Sequence, residues 1–116
     1  MENDAIAQSL NNNIEIVDNS FNSLGLKVAK SNVMNISDSG EIEIGIEVEG
    51  TSKDGSLPKD VTIKVIAYDE KDNIIGIENS NIYQNSFKGF DVLWIYFNTE
   101  NIAFRMHKIK IFAQEW

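Results

Sequence analysis

Carboxylates are the residues of this 116-residue chain whose spacing is most regular. Glutamates alternate with isoleucine and valine in the stretch Glu-Ile-Glu-Ile-Gly-Ile-Glu-Val-Glu, and the side chains that share one parity are Glu41, Glu43, Glu47 and Glu49. Alternate residues of a β-strand point to the same face, so these four form an acidic row on one face of a predicted strand. The row could bind a cation or a basic partner. A flat sheet lacks the concavity and low dielectric that catalytic carboxylate pairs need.

The other explanation of the acidic row is a solvated outer face. In that case lysines on neighbouring strands neutralise part of the charge, and each pair contributes only about 0.2–1 kcal/mol. The lysines considered for this role are Lys64, Lys108 and Lys110.

A second group of oxygen ligands lies in one predicted turn and consists of Asp69, Glu70, Asp72 and Asn73. Carboxylate and amide oxygens are the ligands that calcium prefers, but the spacing does not match a helix-loop-helix calcium loop. A hairpin turn requires Asp and Asn for left-handed backbone and local hydrogen bonds. We therefore predict a structural turn, with no metal site and no cofactor.

The single histidine, His107, gives no argument for catalysis. No nucleophile elbow of the G-x-S-x-G type is present, and one histidine cannot build a histidine-rich metal site. We predict a partly buried structural histidine near a strand end, and a protein that is not an enzyme. A pocket that pairs His107 with a carboxylate in an open cavity would favour the enzymatic alternative.

An aromatic stretch, Phe90-Asp-Val-Leu-Trp-Ile-Tyr-Phe97, has apolar residues at both parities. If the odd-numbered apolar residues face the core, then Phe90, Val92, Trp94 and Tyr96 form an outer row. On the hairpin that begins at Val61, Ile66 and Tyr68 also face outward. If the two strands are neighbours, the candidate interface residues are Ile66, Tyr68, Trp94 and Tyr96, and a protein partner or a homodimer is expected. Alternatively, the segment Met1 to Val33 folds over this face and buries it.

Composition limits the possible partners and the compartment. The formal net charge is −8, which repels phosphate backbones, so no nucleic acid partner is expected. No segment approaches the ~18 apolar residues of a membrane span, so no membrane insertion is expected. Cysteine is absent. Residues 1–13 lack the basic region of a signal peptide, which predicts a cytoplasmic protein as the sequence stands, or an envelope-associated one if the chain is a fragment of a longer protein.

Hydrophobic periodicity predicts an all-β protein. Residues 1–13 are predicted to be a flexible N-terminal tail, and residues 14–116 one antiparallel β-sandwich domain of about seven strands. The clearest strand is Glu41 to Gly50, and the predicted hairpin from Val61 to Ile77 has its inward residues at Val61, Ile63, Val65 and Ala67. The segment Leu26 to Met34 is interrupted at Lys30-Ser-Asn32, which predicts either one bulged strand or two short ones.

The hairpin also resembles a known family. Val65-Ile-Ala-Tyr-Asp69, followed by Asn73 and Ile-Ile-Gly76 and preceded by Val48-Glu-Gly-Thr51, is similar to the core of the bacterial FxLYD family. Tyr68 and Asp69 match the end of that motif, whereas Val65 and Ala67 replace its Phe and Leu. The resemblance implies an immunoglobulin-like sandwich, often attached to the cell envelope, with no known catalytic residues.

Two functions follow from these observations as hypotheses. The first is a non-catalytic binding or scaffolding module of immunoglobulin-like type that acts through protein–protein contacts. The second is a small acidic cytosolic inhibitor or immunity-type protein that binds a basic target through its acidic row.

Overall fold

Two β-sheets make up about half of the protein. The computed structural model describes residues 2–116, and these form seven strands and three short helices. The strands are β1 (Ile14–Ile16), β2 (Leu26–Ile36), β3 (Ile42–Gly50), β4 (Val61–Tyr68), β5 (Ile74–Ile82), β6 (Phe90–Phe97) and β7 (Lys108–Glu115). The helices are α1 (Glu2–Asn11), α2 (Asp18–Asn22) and α3 (Ile102–Arg105). The prediction of an all-β, sandwich-like fold is confirmed.

The strand order is β1-β7-β4-β5 in one sheet and β2-β3-β6 in the other. Every pair is antiparallel except β1 and β7, which run parallel with Ile14 opposite Ile109 and Ile16 opposite Ile111. The prediction of a purely antiparallel sandwich therefore needs this correction. Tight hairpins force antiparallel pairing, but β1 and β7 are separated by nearly the whole chain, so no turn dictates their relative direction.

The core lies between the two sheets, and β3 and β4, the strands with the clearest alternation in the sequence, contribute four residues each. Ile42, Ile44, Ile46 and Val48 of β3 and the predicted inward residues of β4 belong to one core cluster, all of them fully buried. Full burial of one such aliphatic side chain stabilises the fold by about 1.5–3 kcal/mol. This face-to-face packing positions the two outer faces, which are the surfaces left for binding.

Strand β2 is one bulged strand, the first of the two predicted alternatives. Its register with β3 shifts between Val28 and Lys30 and again between Val33 and Asn35. Each shift inserts one extra residue, so the polar and apolar sets return to their proper faces despite the broken alternation. The second bulge leaves Met34 on the outer face, where it is exposed.

The N-terminal segment is a helix where the sequence predicted a flexible tail over residues 1–13. Leu10 is only 1% exposed, and Ile6 and Ala7 are packed against the core. The Asn11 Oδ1 atom accepts the Val33 N–H at 2.7 Å, which pairs a backbone group on the free edge of β2. Isolated helices of this length are marginal in water, so packing against β2 stabilises α1. Helix propensity, which is summed over single residues, therefore does not predict this helix. Met1 lies outside the described residues.

Candidate binding face

The acidic row and the aromatic row lie side by side on the outer face of the three-stranded sheet. Strand β3 pairs with β6 in antiparallel register, and the outward pairs are Glu43 with Tyr96, Gly45 with Trp94, Glu47 with Val92, and Glu49 with Phe90. Directly opposed residues of paired strands have their Cβ atoms about 4.5–5.5 Å apart. Two features that the sequence presents as separate candidates therefore form one surface, which we call the β3/β6 face. Glu41 lies one residue before β3.

Large apolar side chains on the β3/β6 face remain open to solvent. Trp94 is 56% exposed, Phe90 50%, Met34 48% and Tyr96 47%. The inward residues of the same strand, Leu93, Ile95 and Phe97, are buried, as the alternation predicted. The alternative in which the N-terminal segment covers this face does not hold for residues 2–33, because α1 packs at the edge of β2 and leaves the aromatic row exposed.

Gly45 marks the middle of the β3/β6 face. A Cβ atom at this position would lie 3.2 Å from Met34 Cγ and 3.2 Å from Trp94 Cζ3, so these two side chains close over the glycine. The adjoining concavity has a volume of about 110 Å³, which is well below the range of small-molecule sites. It is large enough for part of one side chain of a partner protein. The sequence did not identify Met34 as a residue of this face, because the β2 bulge breaks the alternation that would show to which side Met34 points.

Lysines of β2 offset part of the charge on this face, and they are not the lysines that the sequence suggested. Lys27 Nζ lies 3.3 Å from Glu49 Oε2, and Lys30 is the cross-strand neighbour of Glu47. The three lysines considered from the sequence lie on β4 and β7, which belong to the other sheet. Among residues 2–116, the ion pair on this face is the one between Lys27 and Glu49, so Glu43 and Glu47 contribute negative charge to it.

Ile66 and Tyr68 do not join Trp94 and Tyr96. Strand β4 is in the four-stranded sheet and β6 in the three-stranded one, so the two pairs of residues lie on opposite outer surfaces of the sandwich. The predicted interface of these four residues required β4 and β6 to be neighbours, and they are not. Tyr68 instead lies beneath Lys108, whose Nζ is 5.0 Å from the ring centroid and 3.4 Å from Glu15 Oε1. This contact is a cation–π pair of modest strength.

His107 is exposed and lines an open depression of about 550 Å³ together with Asp69, Glu70 and Arg105. The prediction of a partly buried histidine is wrong, because the His107 side chain, between α3 and β7, is exposed. The imidazole is solvated, while the His107 backbone N–H donates to the Tyr68 carbonyl at 2.7 Å. The depression brings a histidine near carboxylates, which is the arrangement that would favour an enzymatic alternative.

The oxygens of Asp69 are already used by the β4–β5 turn. Asp69 Oδ1 accepts the backbone N–H groups of Asn73 and Lys71, each at 2.9 Å, and Asp72 has a left-handed φ of 62°. The Asn73 N–H holds the pKa of Asp69 below its ordinary value, with smaller lowering contributions from the Lys71 N–H and the Arg105 charge. The residues that line the depression include no hydroxyl or thiol nucleophile. No group of three potential metal ligands occurs within residues 2–116. Turn hydrogen bonds account for Asp69 and Asn73, and the left-handed backbone accounts for Asp72.

The two sheets define an all-β protein of sandwich-like architecture, and comparison with known proteins adds little to that class. No family model and no curated protein matches the chain. Among solved structures it is similar to IrmA from Escherichia coli, with 9% identity over 80% of this chain and 78% of that one and a TM-score of 0.49. It is also similar to the uncharacterised lipoprotein YajI from Escherichia coli, with 14% identity over 78% of this chain and 55% of that one and a TM-score of 0.38.

Both TM-scores are below 0.5, so the fold assignment depends on this chain's own strand pairing. The resemblance to the FxLYD family stays a prediction. Within residues 2–116, no helix has the length and apolar character needed to span a membrane.

Proposed function

We propose that the chain is a non-catalytic binding module of immunoglobulin-like type that acts through protein–protein contacts at the β3/β6 face. The observation that carries this proposal is the direct pairing of carboxylates with exposed aromatic residues across β3 and β6. Exposed apolar groups next to charged ones are typical of specific interfaces, in which aromatic anchors supply affinity and charges supply orientation.

Strand pairing supports the immunoglobulin-like assignment. In immunoglobulin domains, strands B and E pair in one sheet and C and F in the other, and C′ lies beside C in the variable type. Here β2-β3-β6 corresponds to A-B-E, and β5-β4-β7 corresponds to C′-C-F. The place of the last strand, G, is taken by β1, which comes from the N-terminus and runs parallel to β7.

The chemistry of the face indicates a partner with a basic rim and an apolar anchor. Trp94 and Tyr96 belong to the residue types that dominate binding energy at interfaces, and Met34 and Trp94 line the small concavity. Glu43 and Glu47 attract lysine or arginine of the partner, and the net charge of −8 accelerates the encounter.

The alternative function, an acidic inhibitor or immunity-type protein, is supported by the charge of the same face. Glu43 lies opposite Asn35 and no lysine, Lys27 and Lys30 face only the other two glutamates of β3, and the whole molecule is acidic. The two functions differ in their salt dependence. Binding through charge alone disappears at high ionic strength, whereas binding anchored by Trp94 persists in part.

Protein capture on immobilised variants tests the proposal. The wild type is exposed to a lysate of the source organism at low and high salt, beside Trp94→Lys and Glu47→Lys. Trp116→Lys and Glu70→Lys serve as matched controls, because both residues are exposed and lie away from the β3/β6 face. We expect the two face variants to lose a protein that the wild type and both controls retain.

Equal capture by all five proteins would overturn the assignment of the β3/β6 face as the binding surface. Retention of the partner at high salt favours the aromatic-anchored module. Complete loss at high salt favours the inhibitor function.

A further inference from the structure

The four edge strands of the two sheets are protected to very different degrees. An unpaired strand edge is a template for pairing with another chain, and soluble proteins usually shorten, cover or charge it. Strand β1 is only three residues long. The edge of β2 is covered by α1, because Asn11 Oδ1 accepts the Val33 N–H and Asn3 Nδ2 donates to the Ile36 carbonyl at 3.3 Å.

The β5 edge is protected by its composition and geometry. It has a bulge opposite Ala67 and Tyr68, and its second half is the polar stretch Glu78-Asn-Ser-Asn81. Bulges and charged residues are devices that prevent edge-to-edge pairing.

Strand β6 lacks these protections. It is eight residues long and pairs with β3 on one side only. It contains no lysine and no proline, and its register with β3 has no bulge. Its one charged residue, Asp91, lies near its start, where Oδ1 accepts the adjacent Val92 N–H at 2.9 Å. The remaining edge is apolar, and its outward side chains are the exposed aromatic row.

We propose that β6 pairs with β6 of a second copy of this chain, antiparallel across a twofold axis, and so joins two three-stranded sheets into one sheet of six. Only registers that place outward residues opposite outward residues keep both cores intact. A register centred on Trp94 meets this condition. It places Val92 opposite Tyr96 of the second copy, and Leu93 opposite Ile95.

Charge and geometry favour a second copy as the occupant. The acidic residues lie on β3, one strand inward from the edge, so the two acidic rows are separated by three strand spacings, roughly 14 Å. Charges at that distance are largely screened at physiological ionic strength. The aromatic rows, by contrast, become direct neighbours, and aromatic pairs contribute stabilisation beyond their buried area. Strand β5 lies in the other sheet, and its Gly76 packs against Phe97, an inward-facing residue of β6.

The mass in solution, measured by light scattering over a concentration series, tests the inference. The wild type should reach twice the chain mass of 13.1 kDa. Trp94→Lys and Tyr96→Lys should each raise the dimer dissociation constant at least about tenfold. Trp94→Lys brings like charges together at the axis, and Tyr96→Lys replaces the aromatic ring opposite Val92 of the second copy by a charged side chain. Trp116→Lys makes the same change on an exposed tryptophan outside β6 and should leave the constant unchanged.

Disulfide trapping adds a readout that does not depend on the lysine variants folding well. The chain has no cysteine, so Trp94→Cys introduces a single thiol. Opposed residues in the proposed register have Cα atoms about 4.5–5.5 Å apart, which is within the range for a disulfide. Oxidation should give a covalent dimer of Trp94→Cys and none of Trp116→Cys.

A monomeric wild type at every concentration, or equal trapping of both cysteine variants, would overturn the proposal. A protein segment of another kind on the β6 edge would likewise leave the purified chain monomeric. The inference rests on the same aromatic row as the proposed function, yet the two can fail separately. Glu47→Lys should abolish partner capture while leaving the dimer intact, because Glu47 lies on β3 away from the twofold axis.

Discussion

At the scale of single residues, two glycines show why the same residue type can be replaceable in one place and required in another. Gly45 has ordinary extended backbone, and the atoms nearest to a Cβ there belong to the exposed side chains of Met34 and Trp94. Gly40 has a φ of +83°, and a Cβ there would lie 2.7 Å from the Asn101 Cα atom. Side chains can move by a few tenths of an ångström, whereas the backbone at Asn101 cannot yield as easily.

We therefore expect Gly40→Ala to lower the free energy of unfolding by about 2 kcal/mol or more, because it combines a left-handed backbone with a backbone clash. Gly45→Ala should change it by less than about 1 kcal/mol, since the entropy lost by the unfolded chain offsets the local crowding. Urea unfolding of both variants measures the difference. Equal destabilisation of the two would contradict this account.

At the scale of elements, the N-terminal helix is the part of the protein for which local sequence is least informative. Ile6 and Leu10 have helical spacing, but three asparagines end the pattern after fewer than three turns. Packing of Leu10 into the core and capping of the β2 edge by Asn11 stabilise the helix. The helix is therefore a structural part of the domain.

Leu10→Ala tests this role of α1. Because Leu10 is 1% exposed, its truncation should lower the free energy of unfolding by about 2–5 kcal/mol, the range for buried leucine. Gln8→Ala, an exposed position of the same helix, should change it by no more than about 0.5 kcal/mol. Denaturant titration of the two variants distinguishes a packed helix from a tail, since a tail would make both changes negligible.

At the scale of the whole molecule, the two sheets share one core and should unfold together. The chain has two tryptophans, and they report on different sheets. Trp94 is on β6 of the three-stranded sheet. Trp116 follows β7 of the four-stranded sheet and meets the Tyr83 ring edge-on, with centroids 5.2 Å apart.

Single-tryptophan variants make this cooperativity measurable. In Trp94→Phe the fluorescence follows the four-stranded sheet, and in Trp116→Phe it follows the three-stranded one. For each variant, the unfolding midpoint from fluorescence should coincide with that from far-ultraviolet circular dichroism, because small single domains usually unfold in one step. A fluorescence midpoint that departs from the circular dichroism midpoint in either variant would show that one sheet unfolds on its own.

The sequence by itself determined the strands and the orientation of their residues. Alternation in β3, β4 and β6 separated core-facing from outward side chains, with the exception of Thr62, which is buried on the outward parity of β4. It did so because the side-chain period of a strand is a local property of the backbone. The carboxylate of Asp69 in the β4–β5 turn was likewise explained by local hydrogen bonds.

Only the tertiary structure decided which outward rows share a surface. It joined Glu43 and Glu47 to Trp94 and Tyr96, and it separated Ile66 and Tyr68 from them. Periodicity is the same for every order in which strands can pair, so strand neighbours, the parallel β1 and the covering helix depend on long-range packing that no local pattern contains. The candidate binding face is a product of that packing.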